Sequence, residues 1–389
     1  MKPTVGHFVD SYLFSTGSWV YHQLVNMSRY RPVVVTSKVE NLDQFPLPDV
    51  YRYRQRFEGP TYLQVGLRKT YEALTRSRIR FYTEIVSRHE ARLLHSHFGD
   101  EGYYNLGVMR SARLPMVTTF YGYDLSRLPQ SQPKWRGRYR QLFAEGALFL
   151  AEGSHMAQCL VDLGCPADKV VVQNLGVDLR RIPFRPRIRA AGEPVNILLA
   201  ARFTEKKGIP YGISAFAAAA RKLPGIQLRI VGGATVAKET QLMEECKRLA
   251  AQEGVADQVH FLGPIPYTEY LREVDRAHLF LAPSVTAKSG DTEGGAPVSV
   301  IEASAAGLPV ISSNHCDIPE VVLHGKSGLL VAERDVSALT SAILELASAP
   351  QEWPRMGQEG RRHVEAEYDV LKQVARLESI YDGLQAGCL

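Results

Sequence analysis

Short apolar runs recur along the chain, and nearly every one is followed by a stretch with helical spacing. Residues 5–9, 33–36, 93–95, 116–120, 148–150 and 170–172 read as strands, with helices over about 18–29, 63–89, 103–113, 134–145 and 154–163. Strands separated by a helix cannot pair as hairpins, so they pair in parallel through crossovers. A second series places strands at 196–200, 228–231, 259–261, 279–281, 310–312 and 328–331, with helices at 211–223, 238–252, 267–275 and after Pro297. Between the series, Arg180 to Arg187 is rich in Pro and Arg, lacks periodicity and reads as a linker. The expected class is α/β, with two doubly wound domains, 1–182 and 190–367, and a C-terminal helix, 368–389, that returns to the first domain. In such folds ligands lie at the carboxyl ends of the strands, and a two-domain version is expected to face a central cleft.

A composition of 45% hydrophobic and 22% charged residues excludes a disordered or fibrous chain. No stretch reaches the roughly 20 apolar residues that span a bilayer. The amino-terminal run Val5-Gly6-His7-Phe8-Val9 reads as a strand rather than a leader, so a cytoplasmic protein is expected. Five cysteines without CxxC spacing fit reduced, structural thiols. The net charge of +5 does not call for nucleic acid. Its distribution is uneven: Arg52, Arg54, Arg56, Arg68, Lys69, Arg76, Arg78, Arg80, Arg88 and Arg92 crowd one segment beside Tyr51, Tyr53, Phe57 and Phe81. That segment is either a solvated basic face or a peripheral contact with anionic membrane.

The most informative stretch is Asp291-Thr292-Glu293-Gly294-Gly295-Ala296-Pro297-Val298, which opens a helix that Gly307 and Pro309 end. Gly294 and Gly295 let backbone N–H groups approach a ligand, and unpaired N–H groups with the helix dipole favour an anion at the helix start. Glu293 before that start and Glu302 in its second turn can both face one molecule. Carboxylates repel phosphate but accept from sugar hydroxyls, so the pair suits a sugar on either side of a diphosphate. An ordinary βα turn with two solvated glutamates is the alternative. Arg202 and Lys207, in Ala201-Arg202-Phe203-Thr204-Glu205-Lys206-Lys207-Gly208, follow a strand and can grip the diphosphate, unless this is simply a charged loop.

In the first domain, His97 closes one strand and Tyr121 to Asp124 another, so His97, Tyr121 and Asp124 are expected at the ligand. Gly17 belongs to a small-residue loop, Ser15-Thr16-Gly17-Ser18, fit for acceptor or phosphate, or for a plain N-cap at Ser18. Gly233 lies after a second-domain strand, and Gly263 with its neighbours is expected to line a base pocket. The chain has no Walker loop, H-E-x-x-H or paired-aspartate motif, so neither metal nor cofactor is expected.

Arg202 to Gly208 resembles an R-x-x-x-E/K-K-G diphosphate grip, and Glu293 to Pro309 resembles E-x7-E followed by E-A-x-A-x-G-x-P-V. With Asn174 to Asp178 and His315 to Glu320, these motifs are similar to those of the family-4 retaining glycosyltransferases of the GT-B fold, near the exopolysaccharide and colanic-acid enzymes. The resemblance implies transfer, with retention and without metal, from a nucleotide-diphosphate sugar, a UDP-sugar first among candidates, to a glycan or lipid-linked acceptor held by the first domain. It implies that Arg202 and Lys207 bind the diphosphate, Glu293 the sugar and Glu302 the ribose, that the backbone of Ala296 to Val298 meets phosphate, and that His97 lies near donor sugar or acceptor. The chain departs from the family in two places. Glu293 and Glu302 are nine apart rather than eight, and Tyr121 stands where the family has a histidine. A sugar-nucleotide 2-epimerase and a non-catalytic donor- or lipid-binding partner are the rival readings.

Overall fold

In the computed structural model, which describes residues 2–13, 17–54 and 62–387, the chain forms two compact units, Met1–Gly176 with Val370–Leu389, and Val177–Asp369. The expectations for Ser15, Thr16, Arg56, Phe57 and Cys388 lie outside the described residues, as do those for the side chains of Arg68 and Lys69.

The first unit holds β1 (Thr4–Tyr12), β2 (Arg31–Val39), β3 (Val50–Arg52), β4 (Ala91–His97), β5 (Met116–Thr119), β6 (Leu148–Ala151) and β7 (Val170–Val172) in the order β3-β2-β1-β4-β5-β6-β7. Every pairing is parallel. Helices cover both faces, which is why Val33, Val34 and Val35 are all fully buried instead of alternating in and out. The short edge strand β3 has too few residues to show a pattern in the sequence.

The single helix expected over 63–89 is two, Tyr62–Thr75 and Ser77–Arg88, broken at Arg76 with φ of 49°. Glu72 explains the break. Its carboxylate accepts from the Arg78 N–H at 3.1 Å and the Ser77 hydroxyl at 2.8 Å, capping the second helix from the last turn of the first. The 103–113 expectation likewise resolves into Gly99–Tyr104 and Leu106–Ala112.

The C-terminal helix Val370–Gln385 packs within this unit. Glu378, 1% exposed, accepts from the backbone N–H of Arg29 at 2.7 Å and of Tyr30 at 3.2 Å, and from the Ser28 hydroxyl at 3.1 Å.

The second unit holds β8 (Val195–Ala200), β9 (Ile226–Val231), β10 (Val259–Gly263), β11 (Leu279–Ala282), β12 (Val310–Ser313) and β13 (Gly328–Val331), parallel throughout, in the order β10-β9-β8-β11-β12-β13. Helix Ile209–Ala220 is almost wholly apolar and sits in the core with Leu199, Leu281 and Trp353. Gly208, just before it, has φ of 61°, and a Cβ there would lie 1.8 Å from the Pro283 carbonyl oxygen, so only glycine brings this helix to the sheet.

The segment 180–187 is not a free linker. The chain passes between the units at Gly176–Val177 and Asp369–Val370, and Arg187 is buried in the second unit, donating to the carbonyls of Asp275 at 2.6 Å and Ala306 at 2.8 Å. Its lack of periodicity reflects an extended strap whose guanidinium satisfies a helix's terminal carbonyl.

Glu378→Ala leaves two backbone N–H groups without their acceptor, each costing about 1–3 kcal/mol. The expected result is a loss of about 2–4 kcal/mol in chemical denaturation, with the far-ultraviolet spectrum retained.

Candidate active site

The strand order of the second sheet reverses between β8 and β11, and the carboxyl ends flanking such a reversal leave a crevice that no crossover covers. Lys207, Ser284, Pro297 and Ser299 line a small cavity there with the ends of both strands. The structure therefore brings the expected cation, the helix start and the loop around Glu293 together. Pro297 is the N-cap, and the helix runs Val298–Ala306. Gly294, with φ of 80°, takes the left-handed turn that feeds it.

Lys207 Nζ donates to Glu293 Oε2 at 2.7 Å, and the Ser284 hydroxyl to Oε1 at 2.7 Å. Burial pushes the Glu293 carboxyl up, but Lys207, Lys206 and these hydrogen bonds outweigh it and hold the group below the ordinary range. The Glu293 N–H donates to His315 Nε2 at 3.1 Å, while His315 Nδ1 meets Glu333 Oε1 at 2.6 Å. A backbone N–H only donates and a carboxylate only accepts, so His315 is the neutral Nδ1–H tautomer. Glu333 also accepts from the Thr286 N–H at 2.7 Å. Glu293 is thus fixed through both its side chain and its backbone.

Arg202 is paired with Glu239, which also accepts from the N–H of Thr235 at 2.7 Å. Glu302, 7% exposed, accepts from the Tyr267 hydroxyl at 2.8 Å. Burial pushes its carboxyl up to about 7, with hydrogen bonds from Tyr267 and Tyr270 and the Arg181 charge opposing. Gly233 and Gly263 lie at the ends of β9 and β10, and their carbonyls accept from Phe203 N at 3.3 Å and Gly232 N at 3.0 Å.

The first sheet reverses between β1 and β4. His7 on β1 stands beside His95 on β4, with His97 two residues further along on the same face. All three are fully buried. Tyr121 is half-buried after β5 and lines a small cavity with Trp19, Gln23, Gln173 and Gln373. Its hydroxyl meets His97 Nδ1 at 2.7 Å, and burial holds the phenol well above its ordinary value.

Two of the expected site residues have their polar atoms engaged by the protein itself. Asp124 is fully buried and its carboxylate accepts from the N–H of Gly99 at 2.8 Å and of Tyr121 at 3.0 Å, so it ties two loops together. Burial raises it to about 6. His97 has its Nε2 engaged by His7 Nδ1 at 3.1 Å and its Nδ1 by the Tyr121 hydroxyl at 2.7 Å. Gly17 is the N-cap of helix Ser18–Val25, the position the alternative reading gave to Ser18. The sequence reading missed Glu239, Ser284, Tyr267, Glu333 and His7, whose roles come from strand neighbours and loops distant in the chain.

His7, His95 and His97 are the one group among the described residues with metal-ligand spacing. The rings of His95 and His97 stack at 4.5 Å with 14° between planes. Their in-plane lone pairs therefore lie in offset, nearly parallel planes and cannot converge on one ion, so this arrangement is a hydrogen-bonded stack.

Two doubly wound units, each with polar groups at the carboxyl edge of a parallel sheet, are the GT-B fold. Solved structures agree: that of Anabaena Alr3699/HepE in complex with UDP and glucose superposes with a TM-score of 0.77 over 97% of this chain and 99% of that one, at 16% identity. Residues 23–181 match the family described as Glycosyltransferase Family 4, and residues 181–363 that described as Glycosyl transferases group 1. WcaL of Escherichia coli K12, named for colanic acid biosynthesis, is 32% identical over 84% of this chain and 78% of its own length. WcaL of Salmonella typhimurium LT2 is 35% identical over 65% of this chain, which spans 60% of that relative. The chain belongs to the group 1 and family 4 glycosyltransferases.

Glu302 gives a pH signature. Its folded value, about 7, lies above the ordinary 4.5, so its contribution to stability is full below about 4.5 and is lost as pH rises through about 7. Urea unfolding of the wild type should show a drop from pH 5.5 to pH 8 that is smaller in Glu302→Gln. Where ribose hydroxyls donate to Glu302, UDP should stabilise the wild type more at pH 8 than at pH 6.

Proposed function

We propose that this protein transfers a sugar from a nucleotide-diphosphate sugar, a UDP-sugar first among candidates, to a glycan or lipid-linked acceptor in surface polysaccharide biosynthesis. The observation that carries the reading is the Lys207–Glu293 pair beside the start of helix Val298–Ala306, at the reversal of the second sheet. One edge thus offers a fixed cation and a helix N-terminus for a diphosphate, and a carboxylate for sugar hydroxyls. Glu302, in the second turn of the same helix, suits the ribose.

In the reaction the bond from the anomeric carbon to the diphosphate oxygen breaks and a bond to the acceptor oxygen forms on the same face, with retention. The departing phosphate oxygen takes the acceptor's proton. Lys207, Arg202 and the helix start stabilise charge as it develops on the diphosphate, the moment when electrostatic stabilisation counts most. These groups supply that stabilisation without a metal. Tyr121 serves as a hydrogen-bond donor, since burial holds its proton tightly at neutral pH. The names of the WcaL relatives and the UDP-bound structural neighbour support this reading.

Peripheral contact with anionic lipid is part of the proposal, but on a narrower face than the sequence suggested. Tyr53 and Tyr82 are core residues, Phe81 packs against that core, and Arg78 is paired with the buried Glu101 at 2.6 Å. Exposed Arg52, Arg54, Arg76, Arg80, Arg88 and Arg92 remain. No helix among the described residues is long and apolar enough to cross a membrane.

A panel of UDP-, GDP- and ADP-sugars, assayed for nucleotide release with and without acceptor, tests the activity. Inversion at the anomeric carbon, or turnover abolished by a chelator and restored by a metal, would overturn the corresponding part. Lys207→Ala removes the counter-charge of a buried carboxylate and a charged hydrogen bond to the diphosphate, worth about 1.5–3 kcal/mol, so UDP affinity should fall about 10- to 100-fold and turnover with it. Sedimentation with anionic vesicles should exceed that with neutral ones and weaken with salt.

A further inference from the structure

The stack of histidines under Tyr121 determines which way its hydroxyl points. His7, His95 and His97 are each fully buried, and burial lowers all three, His97 to about 3, so the rings are neutral and carry one N–H each. His7 Nδ1 and His97 Nε2 share one hydrogen bond at 3.1 Å, and His97 Nδ1 meets the Tyr121 oxygen at 2.7 Å. Only two proton arrangements satisfy both contacts. If His97 Nε2–H donates to His7, the proton of His7 must sit on Nε2, which has no partner among the described residues. That leaves a buried, orphaned N–H, which folded proteins rarely tolerate. If His7 Nδ1–H donates to His97 Nε2, the same His7 Nε2 is left as an unpaired acceptor, which folded proteins tolerate more often than an unpaired N–H, and His97 Nδ1–H then donates to the Tyr121 oxygen. The Thr119 hydroxyl is engaged by His95 Nε2 at 2.7 Å. With its oxygen accepting from the core, Tyr121 keeps its own proton for the cavity, where the ring is braced by Trp19 at 4.2 Å and Phe98 at 4.7 Å.

We infer that His7 is a positioning residue that acts through His97 to turn the Tyr121 O–H toward the cavity, where it donates to an oxygen of a carbohydrate substrate. This rests on the transferase reading above for the identity of the substrate, but the proton arrangement does not. His7→Phe keeps an aromatic ring and removes both nitrogens. It should lower kcat about 5- to 10-fold, the worth of one neutral hydrogen bond, with donor KM within twofold of wild type. His7→Asn, whose amide N–H can take the place of Nδ1–H, should return kcat to within twofold. In a Tyr121→Phe background, His7→Phe should cost nothing further, whereas a purely structural role would cost the same in both.

Nitrogen-15 shifts of the labelled histidines, assigned by substitution, should show His97 as the Nδ1–H tautomer. An Nε2–H tautomer at His97, equal losses in the two backgrounds, or no rescue by His7→Asn would overturn the proposal. Should His7→Phe fail to fold, the wild-type tautomer and the His7→Asn kinetics decide. Absence of turnover on any donor would sink the transferase reading, and with it the substrate, while the tautomer measurement still upholds or refutes the arrangement of the hydroxyl.

Discussion

Parallel pairing of all thirteen described strands is the constraint from which the rest follows. A parallel strand needs a crossover to reach its neighbour, so helices cover both faces and every strand of a sheet ends at the same edge. Where the order reverses, at β1 and β4 in one unit and at β8 and β11 in the other, adjacent crossovers leave in opposite directions. The edge there lies open between them. Tyr121 stands beside the first reversal and Lys207 at the second, because these are the places where side chains can leave the packed interior without displacing a helix.

The second site is electrostatically balanced within itself. Lys207 answers Glu293, Arg202 answers Glu239 and Lys206 lies 3.2 Å from Asp291. Such a site holds its cations in place by hydrogen bonds rather than leaving them to solvent, which lowers the ordering cost when an anion arrives. It also means that an incoming diphosphate competes with carboxylates for the same charges. Glu293 is the better anchored of the partners, through Ser284 and, along its backbone, through His315 and Glu333, so its orientation does not depend on Lys207 alone.

Much of this was legible in the sequence, and the boundary has physical reasons. The fold class follows from apolar runs alternating with helical spacing, a signal that survives without knowledge of tertiary contacts. Lys207, Glu293 and the helix after Pro297 were also readable, because their loops follow strands and carry glycines. What the sequence hid were partners far apart in the chain: Glu239 for Arg202, Glu333 for His315 and Tyr267 for Glu302. Burial was equally hidden. Asp124 and His97 sit at strand ends, as a ligand-binding residue would, yet each spends its polar atoms on the protein. Arg187 misled in the opposite way, since an arginine in an aperiodic Pro-rich stretch reads as exposed until the Asp275 and Ala306 carbonyls that it satisfies are seen.

The return of helix Val370–Gln385 to the first unit bears on how the chain is made. Residues Val177–Asp369 emerge from the ribosome complete and can fold at once, whereas the first unit lacks Glu378 and Tyr381, the partners of Arg29 and His95, until the last helix is synthesised. At 5–20 residues per second that wait is roughly 10–40 s. During it the loop at Arg29 and the histidine stack have an uncovered side, so completion of the first unit waits on synthesis of the final helix.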